Sequence, residues 1–273
     1  MDTIGLIGVG LLGSGIAARL TAAGYGVLGY DLIPERRLGA GSAQEVAGKC
    51  RTIMLCLPTS DVVAEVLGSI KMTAGTAIID CTTGEPEAMA AMGAKLAKSN
   101  IDYLDATVLG SSRVVRSGAA VVMAGGLRPV FDAALPLFKT FASRAFYLGG
   151  YGAGARMKLV ANLALGLNRA VLAETLAFAH ACEVSPSDAL EVLKAGAAYS
   201  RVMDDKGQKM LDHDFSVEAK LSQHLKDVRL ILAAANAKNA KAPLSQVHRQ
   251  LLERLEAAGY GEMDNSAIVM AYD

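Results

Sequence analysis

The chain has 273 residues, enough for one large domain or two smaller ones. Its 52% hydrophobic content supports a sizeable core, and 27 basic against 27 acidic residues give a formal net charge of zero. That balance argues against nucleic acid or an anionic membrane as the main partner. No apolar run approaches the ~18 residues of a membrane span, and Met1-Asp2-Thr3 leads straight into a strand instead of a secretion signal.

Thr3 to Ile7 reads as a short buried strand, followed at once by Gly8-Val9-Gly10-Leu11-Leu12-Gly13. A helix is expected from about Ser14 to Ala23, stopped by Gly24, then a strand from Gly26 to Tyr30 with Asp31 at its tip. This set suits one task, holding a dinucleotide. Gly8 allows the tight turn, Gly10 lets the backbone approach a pyrophosphate, and Gly13 lets helix and strand pack closely. The helix N-terminus offers N–H groups and a partial positive charge to the phosphates, while Asp31 can accept bonds from ribose hydroxyls.

Short helices are then expected at Pro34 to Leu38 and Ser42 to Ala47, a strand at Thr52 to Leu57 ended by Pro58, and a helix at Ser60 to Leu67. Thr76 to Asp80 is a strand leading into Cys81-Thr82-Thr83-Gly84, and Pro86 to Ala97 is a helix with proline in its first turn. Tyr103 to Val108, Ala119 to Ala124 and Arg144 to Leu148 are strands, with a helix at Pro129 to Phe141. Repeated strand–helix units imply an α/β fold with a mostly parallel, doubly wound sheet.

Past Gly149-Gly150-Tyr151-Gly152 no further strand is expected. A long helix runs from about Ala155 to Ala181, Ser185-Pro186 opens another, and further helices fit 200–211, 217–240 and 243–258, with Asp264 capping a terminal turn. The expected organisation is a Rossmann-type dinucleotide domain, 1–151, and an all-helical domain for substrate and dimerisation, 152–273. The long helix is apolar on nearly every face, which predicts burial by its own domain and by a second copy of the chain, as a homodimer or homotetramer. The four cysteines (Cys50, Cys56, Cys81, Cys182) show no CxxC spacing and read as thiols of a reducing cytoplasm, without disulfides or zinc.

The second chemical signal is Gly152-Ala153-Gly154-Ala155-Arg156-Met157-Lys158-Leu159-Val160-Ala161-Asn162. Lys158 and Asn162 are four apart and project from one helix face. Taken alone they read as a surface lysine with an amide neighbour. Beside a nucleotide motif, the helix start belongs at the rim of the cofactor cleft, and the lysine becomes a working group. The acid-rich stretch Asp204, Asp205, Asp212, His213 and Asp214 reads as a solvated helix end before it reads as a metal site, and His224 as a residue of the helical core or of the pocket wall.

Over its whole length, in order, the chain resembles the β-hydroxyacid dehydrogenases, a family that includes 3-hydroxyisobutyrate dehydrogenase, tartronate semialdehyde reductase and the glyoxylate/succinic semialdehyde reductases. The nucleotide turn at Gly8, Gly10 and Gly13, Leu57-Pro58, Asp80-Cys81-Thr82-Thr83, the segment Asp105 to Gly118, Gly152 to Asn162, Lys226-Asp227 and Gly261 to Ala267 are similar to its motifs. The resemblance implies that Lys158 is the catalytic acid/base. It implies substrate contacts at Gly110, Ser111, Asn162 and Asp227, and cofactor contacts at Gly8, Val9, Gly10, Leu11, Leu12, Gly13, Asp31, Leu57, Pro58, Thr83 and Lys226. No metal is implied. A free lysine titrates near ~10.4, so work near neutrality requires burial or a nearby cation.

The chain departs from the family pattern at Leu109, where a serine that binds the substrate carboxylate is usual, and at Ser111 in place of a second glycine. Ser111, Ser112, Arg113 and Arg116 are the groups at hand to replace that serine, and a leucine in the pocket favours a bulkier or more apolar substrate. Asp31 predicts NAD, because a carboxylate repels a 2′-phosphate; NADP stays open through Arg36 and Arg37. The expected activity is hydride transfer between a nicotinamide cofactor and a small-molecule 3-hydroxy acid or its semialdehyde. The alternatives are an imine reductase on the same architecture, disfavoured by Lys158, and a non-catalytic nucleotide-binding protein, disfavoured by Lys158 and Asn162 together.

Overall fold

The computed structural model describes residues 3–272. By its internal contacts the chain divides into two compact units between Lys158 and Leu159. In the first, seven strands alternate with helices: β1 (Thr3–Ile7), α1 (Leu11–Ala22), β2 (Gly26–Tyr30), α2 (Ala43–Lys49), β3 (Thr52–Leu55), α3 (Ser60–Ser69), β4 (Ala77–Asp80), α4 (Pro86–Ala97), β5 (Asp102–Leu109), α5 (Ser112–Arg116), β6 (Ala120–Gly126), α6 (Arg128–Phe141) and β7 (Ala142–Tyr147). Pro34–Arg36 forms a single 3₁₀ turn.

The strands lie in the order β2-β1-β3-β4-β5-β6-β7. All pairs are parallel except β5 with β6, which is antiparallel. Ile7, Leu55, Asp80 and Asp105 stand in line across β1, β3, β4 and β5. The direction in which strands are added reverses at β1, so a crevice opens outside the carboxyl ends of β1 and β3, where ligands of such sheets bind. Alternate residues supply two cores. Leu6, Met54, Ile79, Leu104 and Phe138 pack on the side of α1 and α6, and Ile7, Ile53, Leu55, Ile78 and Tyr103 on the other.

The local ends follow familiar chemistry. Ser42 and Thr59 side chains accept N–H bonds at the starts of α2 and α3, and proline stands in the first turns of α4 and α6. The segment after β5 contains a short helix that no strong periodicity announces: Ser111 accepts the Val114 N–H and caps α5. Val115 of α5 then fills the space left by Gly15 on α1.

Helix α7 (Ala153–Ala181) starts in the first unit and continues into the second. Its first turn is held in the sheet unit by Asp105, whose carboxylate accepts the Gly152 and Ala155 N–H groups, each at 2.8 Å. Gly154 makes the approach possible, since a Cβ there would lie 2.3 Å from the Asp105 carbonyl and 2.4 Å from that of Met123. The second unit contains the rest of α7 with α8 (Pro186–Ala195), α9 (Arg201–Leu211), α10 (Leu221–Ala237) and α11 (Pro243–Ala257), followed by 3₁₀ turns at Tyr260–Glu262 and Asn265–Ala271. Leu172, Leu176, Met210, Leu221, Leu225, Leu252 and Ile268 are among its core residues. The expected helix from 217 begins only at Leu221. The Glu218 and Ala219 N–H groups donate to the Asp264 carboxylate, which holds those residues out of the helix.

By length and composition alone, helix α7 is long and apolar enough to cross a membrane, though polar residues interrupt its apolar runs. Its 29 residues include the buried polar groups of Lys158, Asn162 and Arg169, and Leu172, Ala173 and Leu176 lie in the helical core.

Candidate active site

The glycine-rich turn joins β1 to α1 at the crevice. Gly8 has a positive φ of 91°, and a Cβ on it would fall 2.3 Å from the Cys56 carbonyl oxygen. A Cβ on Gly13 would fall 2.1 Å from the Gly8 carbonyl. These contacts press the turn onto the end of β3, whereas a Cβ on Gly10 would meet nothing within 4 Å. The open side of the turn therefore faces outward at the N-terminus of α1, which no side chain caps. Asp31 closes the turn from β2: one carboxylate oxygen accepts the Val9 N–H at 2.7 Å and the other the Ile33 N–H at 2.9 Å. Arg37 lies beside it, its Nε donating to the Asp31 carbonyl at 3.0 Å and its guanidinium 5.0 Å from the centre of the Tyr30 ring. An outward-facing glycine cradle, an uncapped helix start and an acid at the tip of β2 fit a dinucleotide.

The ends of β3 and β4 form the next wall. Leu57 reaches Gly8, with a methyl carbon 3.2 Å from where a Cβ of Gly8 would stand. The Leu57 N–H donates to the Thr82 hydroxyl oxygen at 3.1 Å, which joins Leu57-Pro58 to the Thr82-Thr83 loop. Asp80 holds that loop from below. It is fully buried, accepts the Thr82 N–H at 2.9 Å and the Tyr103 hydroxyl at 2.8 Å, and burial pushes its carboxyl up to about 6 against those bonds.

At the same carboxyl edge, β5 runs on past Asp105 through Val108 to Leu109. The Lys158 ammonium donates to the Val108 carbonyl at 2.6 Å, and the residue is only 9% exposed. Leu109 is half-buried and Gly110 exposed, with a φ of 143°. The Ser111 oxygen accepts the α5 cap bond, which leaves its O–H proton to give. Arg116 points to the Ser14 hydroxyl on α1, at 3.3 Å. Asp105 was legible only as the start of a motif. The structure gives it a separate task, anchoring the first turn of α7 and so setting where Lys158 stands.

In the second unit, Asn162 donates to Asp227 at 2.8 Å, and Lys226 pairs with the other Asp227 oxygen at 3.1 Å. His224 is buried and stacks obliquely with His248, the ring centres 5.2 Å apart. Arg169, also buried, was passed over by sequence reasoning; burial pulls it down to about 10. Burial, and then Arg169, push His248 down to about 4. In the acid-rich stretch, Asp204 pairs with Lys194 and Asp214 with Lys209, and among the described residues no group of three His, Cys, Asp or Glu could hold a metal ion.

A glycine turn at the switch point of a parallel sheet, with an acid on the following strand, defines a Rossmann-type nicotinamide-dinucleotide-binding protein. The family described as the NAD binding domain of 6-phosphogluconate dehydrogenase matches residues 3–149, and the one described as NAD-binding of NADP-dependent 3-hydroxyisobutyrate dehydrogenase matches residues 152–272. The chain is 30% identical to 2-(hydroxymethyl)glutarate dehydrogenase of Eubacterium barkeri, over 99% of its own length and 94% of that protein. It is 28% identical to 2-hydroxy-3-oxopropionate reductase of Escherichia coli, over 99% and 97%. A solved structure of 3-hydroxyisobutyrate dehydrogenase from Salmonella typhimurium superposes with a TM-score of 0.90, at 26% identity and 99% coverage of both chains. The chain belongs to the β-hydroxyacid dehydrogenase family, and it is an oxidoreductase that uses a nicotinamide cofactor.

The buried carboxyl beneath the Thr82 loop gives a pH signature. Between about 4 and 6 folded Asp80 keeps a proton that the unfolded chain releases near 3.8, so this group makes stability fall as pH rises through that interval, by about 3 kcal/mol in all. His248 acts in the opposite sense, since its lowered folded value makes stability rise between about 4 and 6.5. Subtracting wild type from Asp80→Asn isolates the first effect. Urea unfolding from pH 4 to 6.5 is expected to show the variant gaining on wild type by about 3 kcal/mol; parallel profiles would contradict the assignment.

Proposed function

We propose that the protein interconverts a 3-hydroxy acid and its semialdehyde, with Lys158 as the acid/base and NAD(H) as the preferred cofactor. The observation that carries this reading is the buried Lys158 ammonium at the carboxyl edge of the sheet, 2.6 Å from the Val108 carbonyl and next to Leu109-Gly110-Ser111. The bound nicotinamide gives or takes the hydride. When a carbonyl carbon gains hydride, its oxygen becomes an alkoxide; Lys158 Nζ stabilises that oxygen and delivers the proton. In the other direction the neutral amine removes the hydroxyl proton. Asn162 presents an amide one helical turn further along, and its bond to Asp227 fixes the rotamer. Gly110 and Ser111 offer backbone and hydroxyl donors to the substrate, while Leu109 favours a more apolar or bulkier carbon skeleton than a serine would. Thr83, which follows the Thr82 hydroxyl bonded by the Leu57 N–H, adds a further cofactor contact.

The relatives support this substrate class, since the names of two of them describe the redox chemistry of a hydroxymethyl or aldehyde group beside a carboxylate. Preference for NAD rests on Asp31. Its carboxylate accepts ribose hydroxyls and repels a 2′-phosphate, and the neighbouring Arg37 is already engaged with Tyr30 and the Asp31 carbonyl. A spectrophotometric panel of glyoxylate, succinic semialdehyde, tartronate semialdehyde, branched semialdehydes and a cyclic imine, each with NADH and NADPH, tests the reading. Turnover is expected with semialdehydes, with a lower KM for NADH; turnover of the imine alone, or a lower KM for NADPH, would reject the corresponding part. With the best substrate, Lys158→Ala is expected to lower kcat by 10²-fold or more while leaving NADH affinity within about threefold, and near wild-type kcat would remove Lys158 from the chemistry.

The domain 152–273 is also proposed to pair with a second copy of itself. Val160, Val171 and Phe178 are 60%, 60% and 68% exposed, and their spacing of eleven and seven residues puts them on one stripe of α7, with exposed Ala164 between them. An isologous dimer with α7 against its copy covers such a stripe. Light scattering on the eluting protein is expected to give at least twice the chain mass, and Val171→Glu with Phe178→Glu to give one chain mass; a monomeric wild type at micromolar concentration would exclude the pairing.

A further inference from the structure

Cys56 and Cys81 directly follow β3 and β4. These strands are parallel neighbours with Leu55 opposite Asp80, and the Cys81 N–H donates to the Leu55 carbonyl at 2.8 Å. The next residues in each strand, the two cysteines, therefore stand side by side. Strand alternation also turns them to the same face: Met54, Cys56, Ile79 and Cys81 join the core beneath α1, while Ile53, Leu55 and Ile78 face the other core. The neighbouring Cys56 thiol, together with burial, raises the Cys81 thiol well above its usual range. Cys81 is sealed in the core, whereas Cys56 is half-buried and is the member that a small oxidant can reach.

Cys56 is also the floor of the nucleotide turn. Its carbonyl oxygen presses on Gly8, and its Cβ lies 3.5 Å from where a Cβ of Gly13 would be. Neighbouring strands lie about 4.8 Å apart, inside the ~4.4–6.8 Å Cα range of disulfides. The Cβ atoms of a disulfide come to about 3.8 Å, closer than strand spacing leaves them, so bridging draws the end of β3 toward β4. The turn, packed on Cys56 without slack at Gly8, must then shift.

We infer that Cys56 and Cys81 form an oxidant-sensitive dithiol under the dinucleotide-binding turn, closed to an intramolecular disulfide by a peroxide and shielded by bound cofactor. The Cys56 thiolate attacks one oxygen of hydrogen peroxide. The O–O bond breaks, hydroxide leaves and takes up the thiol's proton as water, and a sulfenic acid remains on Cys56. The Cys81 sulfur then attacks the Cys56 sulfur. The S–O bond breaks, the S–S bond forms, and the Cys81 proton leaves with the departing hydroxyl as a second water. The two thiols lose two electrons in total, and the peroxide gains them. The inference rests on the dinucleotide site and is independent of the role of Lys158.

The test uses the full chain carrying Cys182→Ser, which removes the exposed thiol outside both sites. The reduced protein is treated with hydrogen peroxide, with and without saturating NADH, and followed by intact mass, peptide mapping and NADH fluorescence titration. The expected result is a mass lower by two hydrogens, a linked peptide joining Cys56 to Cys81, and NADH binding weakened tenfold or more and restored by dithiothreitol. NADH present during treatment is expected to slow the link about tenfold. In Cys81→Ala the link is lost and a sulfenic acid on Cys56 is trapped by dimedone. Absence of the linked peptide, or a linked protein with unchanged NADH affinity, overturns the inference, and neither readout requires turnover.

Discussion

The bond between the Asp105 carboxylate and the start of α7 is the constraint on which the proposed chemistry depends. Asp105 sits at the carboxyl edge of the sheet, wholly buried, and accepts two N–H groups that a helix start otherwise leaves without partners. Burial raises its carboxyl, opposed by those backbone bonds, so the helix start and the carboxylate stabilise one another. Gly154 allows the helix to touch β5 and β6 backbone, and Thr107 lies within hydroxyl reach of both the Met123 and Gly154 carbonyls. With its first turn clamped this way, α7 delivers Lys158 to Val108 with little freedom, and a general acid must be held in this way to act on one oxygen.

The same edge of the sheet carries the dinucleotide turn. Its geometry comes from backbone pressed on backbone: Gly8 against Cys56 and Gly13 against Gly8, with Asp31 tying the Val9 N–H to β2. A turn so tightly packed is well ordered before the cofactor arrives, which reduces the ordering cost of binding. It is also sensitive to any displacement of the residues beneath it, and the neighbouring thiols of Cys56 and Cys81 supply a chemical route to such a displacement.

Much of this was legible in the amino-acid order. The strands and helices of the sheet unit follow from short apolar runs, with Pro86 placed in the first turn of its helix. The glycine spacing, Asp31, Lys158 and Asn162 were legible as well, because their signals are spacings within one turn or one helix. The α5 helix was not, since five residues carry too little periodicity to separate from a loop. The start of α10 was misjudged because Asp264, over forty residues away in the chain, captures the N–H groups of Glu218 and Ala219.

By itself, the order of residues determined the alternation of strand and helix, the cradle for a dinucleotide and the lysine with its amide neighbour, since each depends on interactions among residues close in the chain. Only the tertiary structure decided that Asp105 anchors α7, that Asp80 supports the Thr82 loop, that Lys158 meets Val108 and that Cys56 lies against Cys81. Those pairs follow from strand order and register, which arise when distant segments bury their apolar faces together, and no local pattern encodes which strand becomes the neighbour of which.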